Sequence, residues 1–134
     1  MIKFAQTLNM IKKNILSIFV ALIIAYLSLA NADDFDKVSI FNFPGADKII
    51  HCVMYFVFMS VIVFENRKNI GKVRILLFIT LVPFLYGALM EVLQVFLTTS
   101  RAGSVTDLLS NLAGILLSVV LCLTIRPFRK QIIR

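Results

Sequence analysis

Charge is scarce in this sequence: only 16% of its 134 residues are Asp, Glu, Lys or Arg, against roughly a quarter in an average soluble domain. Histidine occurs once and cysteine twice. There is no G-x-S-x-G nucleophile elbow, no H-E-x-x-H metal helix and no cysteine cluster, so the commonest hydrolase and zinc signatures are excluded. Acidic residues are outnumbered two to one, 7 against 14 cations, for a net charge of +7. No basic stripe is interleaved with aromatics, so nucleic acid does not explain that charge. The two cysteines exclude a disulfide-rich toxin, and the apolar content excludes a disordered tail.

What fills the space is hydrocarbon. Hydrophobic residues make up 60% of the chain and the mean hydropathy is +0.94. One small domain cannot hide that much apolar surface from water, which rules out a water-soluble enzyme. A membrane protein with cationic cytoplasmic loops accounts for the hydropathy and the charge together.

Four apolar runs match or approach the ~20 residues that a spanning helix needs. They predict an all-α, four-helix transmembrane bundle in one domain over 1–134, with spans at about 15–32, 47–64, 75–97 and 105–125. The first run is short, and Asn31 and Ala32 are expected to extend it. Pro44-Gly45 marks a turn, Pro127 stops the last helix, and Pro83 is expected to kink the third. Placing both termini and the middle loop in the cytoplasm puts eleven of the 14 cations on one side. They are Lys3, Lys12, Lys13, Arg67, Lys68, Lys72, Arg74, Arg126, Arg129, Lys130 and Arg134, with Glu65 as the only acid among them. That asymmetry is the positive-inside pattern. A rival reading takes Lys12-Lys13, the first run and Ala30-Asn31-Ala32 as a cleaved signal peptide, leaving three spans. Cys52 and Cys122 should differ in depth by roughly 20 Å, too far for a disulfide.

The polar residues within the spans follow the helical period. The third run carries Pro83, Gly87, Glu91, Gln94 and Thr98 on one face; the fourth carries Asp107, Asn111, Gly114 and Ser118 on one face. The second offers Asp47, His51 and Tyr55 at i, i+4 and i+8. Such groups must face the bundle interior. Counted from the outer ends, His51, Gln94 and Asp107 lie about 5–6 Å down, and Tyr55, Glu91 and Asn111 about 10–12 Å down. The sequence thus predicts two polar layers in the outer leaflet under a short loop bearing Arg101. The other half has little to match them, which argues against a continuous aqueous pore. Glu91, Arg101 and Asp107 are expected to converge, with Gln94 donating to the Glu91 carboxylate. Ser110, Gly114 and Ser118 form a small-xxx-small packing series.

Three stretches together resemble the VanZ-like membrane proteins. Asp47-Lys48-Ile49-Ile50-His51 with Tyr55 resembles their DKxxHxxxY motif, and Tyr86-Gly87 with Glu91 and Gln94 resembles YGxxxExxQ. Arg101 followed by Asp107, Asn111 and Gly114 resembles R…DxxxNxxG, without the proline that often precedes the arginine. The resemblance covers residues 47 to about 118 in order. It implies a multi-pass protein of the bacterial inner (plasma) membrane, in a family named for low-level resistance to the glycopeptide antibiotic teicoplanin. The family's polar positions fall on Asp47, His51, Glu91, Gln94, Arg101, Asp107 and Asn111. These are the candidate binding residues, and no catalytic residue is assigned.

Three functions stay open. The leading one is a cell-envelope protein that binds a lipid head group or a lipid-linked cell-wall precursor, with Arg101 suited to a phosphate. The second is an intramembrane enzyme using His51 with Glu91 or Asp107 on a lipid phosphate or ester. The third is a small proton-coupled transporter built on Glu91, which would have to oligomerise. No cofactor is expected, and one histidine argues against a metal. The expected partners are membrane lipids, not nucleic acid.

Overall fold

The computed structural model describes residues 9–30, 44–70, 72–98 and 103–125. Among these the chain is helical throughout, with four main helices: α1 (Ile15–Leu29), α2 (Ala46–Asn66), α3 (Val73–Leu97) and α4 (Val105–Thr124). The last three are each long and apolar enough to cross a membrane, and α1 is a shorter apolar helix. At 1.5 Å per residue, α1 covers about 22 Å of a hydrocarbon core that is about 30 Å thick. Further helical length lies at its N-terminal end. Residues 9–13 are also helical before a break at Asn14. At the other end Ala30 is already extended, its N–H closing the last turn on the Tyr26 carbonyl at 2.9 Å. The predicted extension over Asn31 and Ala32 lies outside the described residues.

The helices run up and down. Asn66 at the end of α2 meets Asn14 at the start of α1. Glu91, late in α3, meets Ser104 before α4. His51 and Ser60 of α2 meet Asn111 and Ser118 of α4 in the same order, so these two helices are parallel. They form the most extensive helix pair. Gly114 makes that approach possible, because a Cβ there would fall on the Cys52 carbonyl. One turn further, Ser118 pairs with Ser60 at 2.8 Å, so the small-residue series is a helix contact. α2 starts at the turn predicted for Pro44-Gly45, with Gly45 at φ 88°, a conformation that suits glycine. α3 continues through Pro83.

The exterior is the apolar side. Phe96 is 79% exposed and Tyr26 75%, while Asn111 and Ser118 are wholly buried. In water this arrangement would be inside out; in lipid it is what desolvation requires, since only the bundle interior can satisfy polar groups. The interior itself is divided. Phe58, Met59, Ile62, Val63, Leu76 and Val119 make an apolar core towards the basic end. The polar side chains of α2, α3 and α4 gather towards the other. Cys52 and Cys122 are free thiols, as their depths led one to expect.

Candidate functional site

The polar cluster is centred on His51. Three helices deliver its members because each carries its polar residues at a spacing of three or four. On α2, His51 and Tyr55 are buried one turn apart, and Asp47 lies half exposed a turn above. On α3, Pro83, Gly87, Glu91 and Gln94 are buried along one stripe, and on α4 so are Asp107, Asn111, Gly114 and Ser118. All three predicted stripes therefore turn inward.

His51 uses both edges of its ring. Nδ1 lies 3.0 Å from Asn111 Oδ1 and 3.8 Å from Glu91 Oε1. Because that amide oxygen can only accept, the hydrogen-bond network assigns the proton to Nδ1. Nε2 is then directed to the rim, 3.7 Å from Asp47 Oδ1. The two carboxylate distances are too long for hydrogen bonds. Asp107 joins from α4: one oxygen or nitrogen each from Asp47, His51 and Asp107 lie within 4.8 Å of one another. One imidazole and two carboxylates are donors a divalent cation could use. Acidic groups at a rim also adopt such spacing without an ion, so the geometry assigns no metal.

Glu91 is fixed by one oxygen and left with the other. Oε2 accepts the Ser104 N–H at 2.9 Å, where the chain turns into α4. The close approach depends on Gly103, since a Cβ there would collide with the Glu91 carbonyl. Oε1 is buried and has no hydrogen-bond partner among the described residues. Asn111 Nδ2 and the Tyr55 hydroxyl are in the same state. The last two lie beside Gly87, where a Cβ would lie 3.1 Å from both Asn111 Nδ2 and the Tyr55 ring. A buried polar group without a partner costs about 1–3 kcal/mol. An acceptor and two kinds of donor are thus held ready for hydrogen bonding among three helices.

One expectation comes out differently. Gln94 does not donate to Glu91: its Nε2 donates to the Ser28 carbonyl of α1 at 2.8 Å, and the Ser104 backbone serves Glu91 instead. Glu91 and Asp107 both flank His51, as their predicted convergence requires. The third member of that trio, Arg101, lies outside the described residues. Sequence reasoning also missed Glu65, at the basic end of α2. Its carboxylate accepts the Leu16 N–H at 2.8 Å, the Ser17 N–H at 3.0 Å and the Ser17 hydroxyl. It thereby caps α1 from a neighbouring helix, because Asn14 makes no side-chain cap. The available signal was a lone acid among cations at a span end.

Fold and cluster together define an integral membrane bundle whose buried polar residues occupy one end. The chain belongs to the VanZ/LLP1 family, whose model matches residues 2–126. No curated protein and no solved structure matches it.

Proposed function

We propose that this VanZ-like protein of the bacterial cell envelope binds a lipid head group or lipid-linked cell-wall precursor in the cluster around His51. The observation that carries the reading is that three buried groups of the cluster, Glu91 Oε1, Asn111 Nδ2 and the Tyr55 hydroxyl, have no hydrogen-bond partner among the described residues; the one other such group is Ser28 Oγ on α1. Hydrocarbon cannot satisfy them, whereas the hydroxyl, amide or phosphate groups of a head group can. The positive-inside charge pattern supports a place for the cluster in the outer leaflet of the inner membrane, with both termini cytoplasmic. In this reading Asp47, His51, Glu91, Asp107 and Asn111, which lie close together, contact the head group; Gln94 ties α3 to α1 beside them, and Arg101 is the expected phosphate contact.

The experiment is mass spectrometry of the protein extracted with its lipids, beside Glu91→Gln and His51→Gln. A head group enriched over the bulk membrane on wild type, and lost from both variants, supports the proposal. A bound-lipid profile identical to the bulk overturns it. Glycopeptide resistance is the physiological extension: deletion should lower the teicoplanin concentration that stops growth, and Glu91→Gln should not restore it. A second reading, turnover of a lipid phosphate or ester, draws on a histidine flanked by Glu91 and Asp47. Product release by the purified protein, absent in His51→Gln, would favour it over binding alone.

A further inference from the structure

The basic end has a feature of its own. Between α1, α2 and α3 lies a groove of about 750 Å³, walled by Ile18, Ala21, Phe58, Ile62, Val82 and Leu85. Its lining runs along α3 from Ile79 to Leu89, which is about 15 Å of helix, or half the hydrocarbon thickness of a bilayer. Asn14, Ser17 and Asn66 line the end away from the His51 cluster. The one other polar side chain on the wall, Tyr86, gives its hydroxyl to the Ala21 carbonyl at 2.6 Å. An apolar slot one leaflet long, opening at a polar rim, has the shape of a site for one acyl chain.

The rim selects the head group. Asn66 Nδ2 donates to Asn14 Oδ1 at 2.9 Å, which joins two chain segments at the mouth. Lys12 and Lys13 precede Asn14 and are exposed; Lys68 follows Asn66 by two residues and is exposed. Arg67 is engaged with its own helix, over the Phe64 ring at 4.3 Å and donating to the Phe64 carbonyl at 3.0 Å. The one acid nearby, Glu65, accepts three hydrogen bonds from α1 and faces inward to them. Three exposed lysines therefore lie within two residues of the groove's polar rim.

We propose that this groove is a binding site for an anionic phospholipid, with one acyl chain between α1, α2 and α3 and the phosphate on Lys12, Lys13 and Lys68. It lies at the opposite end of the bundle from the His51 cluster and does not depend on what that cluster binds. Native mass spectrometry of the full chain, titrated with equal phosphatidylglycerol and phosphatidylcholine, tests it. Wild type should retain phosphatidylglycerol about tenfold better, since a few lysines near a surface are worth at least that. The triple variant Lys12→Gln, Lys13→Gln, Lys68→Gln changes only exposed side chains and should erase the preference. Ala21→Leu, which fills the slot, should lower retention of both lipids. Equal retention by wild type, a preference that survives the triple variant, or a lipid-free dimer would each overturn the proposal. Glu91→Gln separates the two sites: losing its own ligand while keeping phosphatidylglycerol selectivity leaves this inference standing without the other.

Discussion

Glu65 and Glu91 sit at opposite ends of the bundle, the first half-buried and the second buried, and they are treated in opposite ways. Glu65 accepts three hydrogen bonds from the start of α1. Glu91 has one backbone donor on Oε2 and an unpartnered Oε1, beside an unpartnered amide and hydroxyl. Both residues bear the cost of removing a carboxylate from water. Glu65 recovers it within the fold, because a helix N-terminus offers unpaired N–H groups and a positive dipole end. Glu91 recovers only part of it. A polar group kept in hydrocarbon surroundings without full internal compensation is a sign of a partner beyond the fold. The contrast separates an acid satisfied within the fold from one that is not, without reference to sequence similarity.

The sharpest way to break this contrast is to neutralise each acid. Glu91→Gln and His51→Gln should each abolish complementation of a deletion strain under envelope stress, with protein level and membrane insertion unchanged. Glu65→Ala should do the reverse: activity persists at permissive temperature while stability falls by about 2 kcal/mol, the scale of lost hydrogen bonds to a charged cap. Unfolding by titration with a denaturing detergent measures that loss. Full activity of both site variants would make the polar end a packing device like the basic one. An inactive but stable Glu65→Ala protein would erase the distinction from the other side.

A smaller effect tests where the site ends. Gln94 shares the Glu91 stripe, yet its amide holds the Ser28 carbonyl. Gln94→Met keeps the volume and removes that bond. It should cost about 1 kcal/mol in the same unfolding titration, the usual scale of an interhelical hydrogen bond in a membrane. Retention of the bound head group would mark Gln94 as wall, and loss of it with unchanged stability would mark it as ligand contact.

The polar stripes of α2, α3 and α4 were legible because two constraints coincide: the helix repeats every 3.6 residues, and lipid rejects polar side chains. Asp47, His51, Glu91, Asp107 and Asn111 could be grouped from spacing alone. The attachments of α1 were not legible. Its partners are the Leu16 and Ser17 N–H groups and the Ala21 and Ser28 carbonyls. Backbone groups are present at almost every position and leave no mark in a sequence. The only trace is three small residues on one face of α1, Ser17, Ala21 and Ser28, and small residues alone do not name a partner. For the same reason the Ser104 N–H could not be named as the donor to Glu91.

The smallest expected effect concerns the serine pair that lies between the two ends. Ser60 Oγ lies 2.7 Å from the Phe56 carbonyl and 2.8 Å from Ser118 Oγ. Since Ser60 donates to its own helix, Ser118 is the donor in the pair. Removing Ser118 costs Ser60 an accepted bond but leaves its donation intact. Removing Ser60 frees the Ser118 hydroxyl to turn to a carbonyl of its own helix, as serine in a helix readily does. Neither change strands a charge, and neither opens the contact, because Gly114 one turn away sets the distance between α2 and α4. Ser60→Ala, Ser118→Ala and the double variant should therefore each cost about 0.6 kcal/mol, with a coupling of the same size. A double-mutant cycle in the detergent titration measures it. A coupling well above 2 kcal/mol would mean that the middle of the bundle, like its polar end, depends on hydrogen bonds that lipid cannot replace.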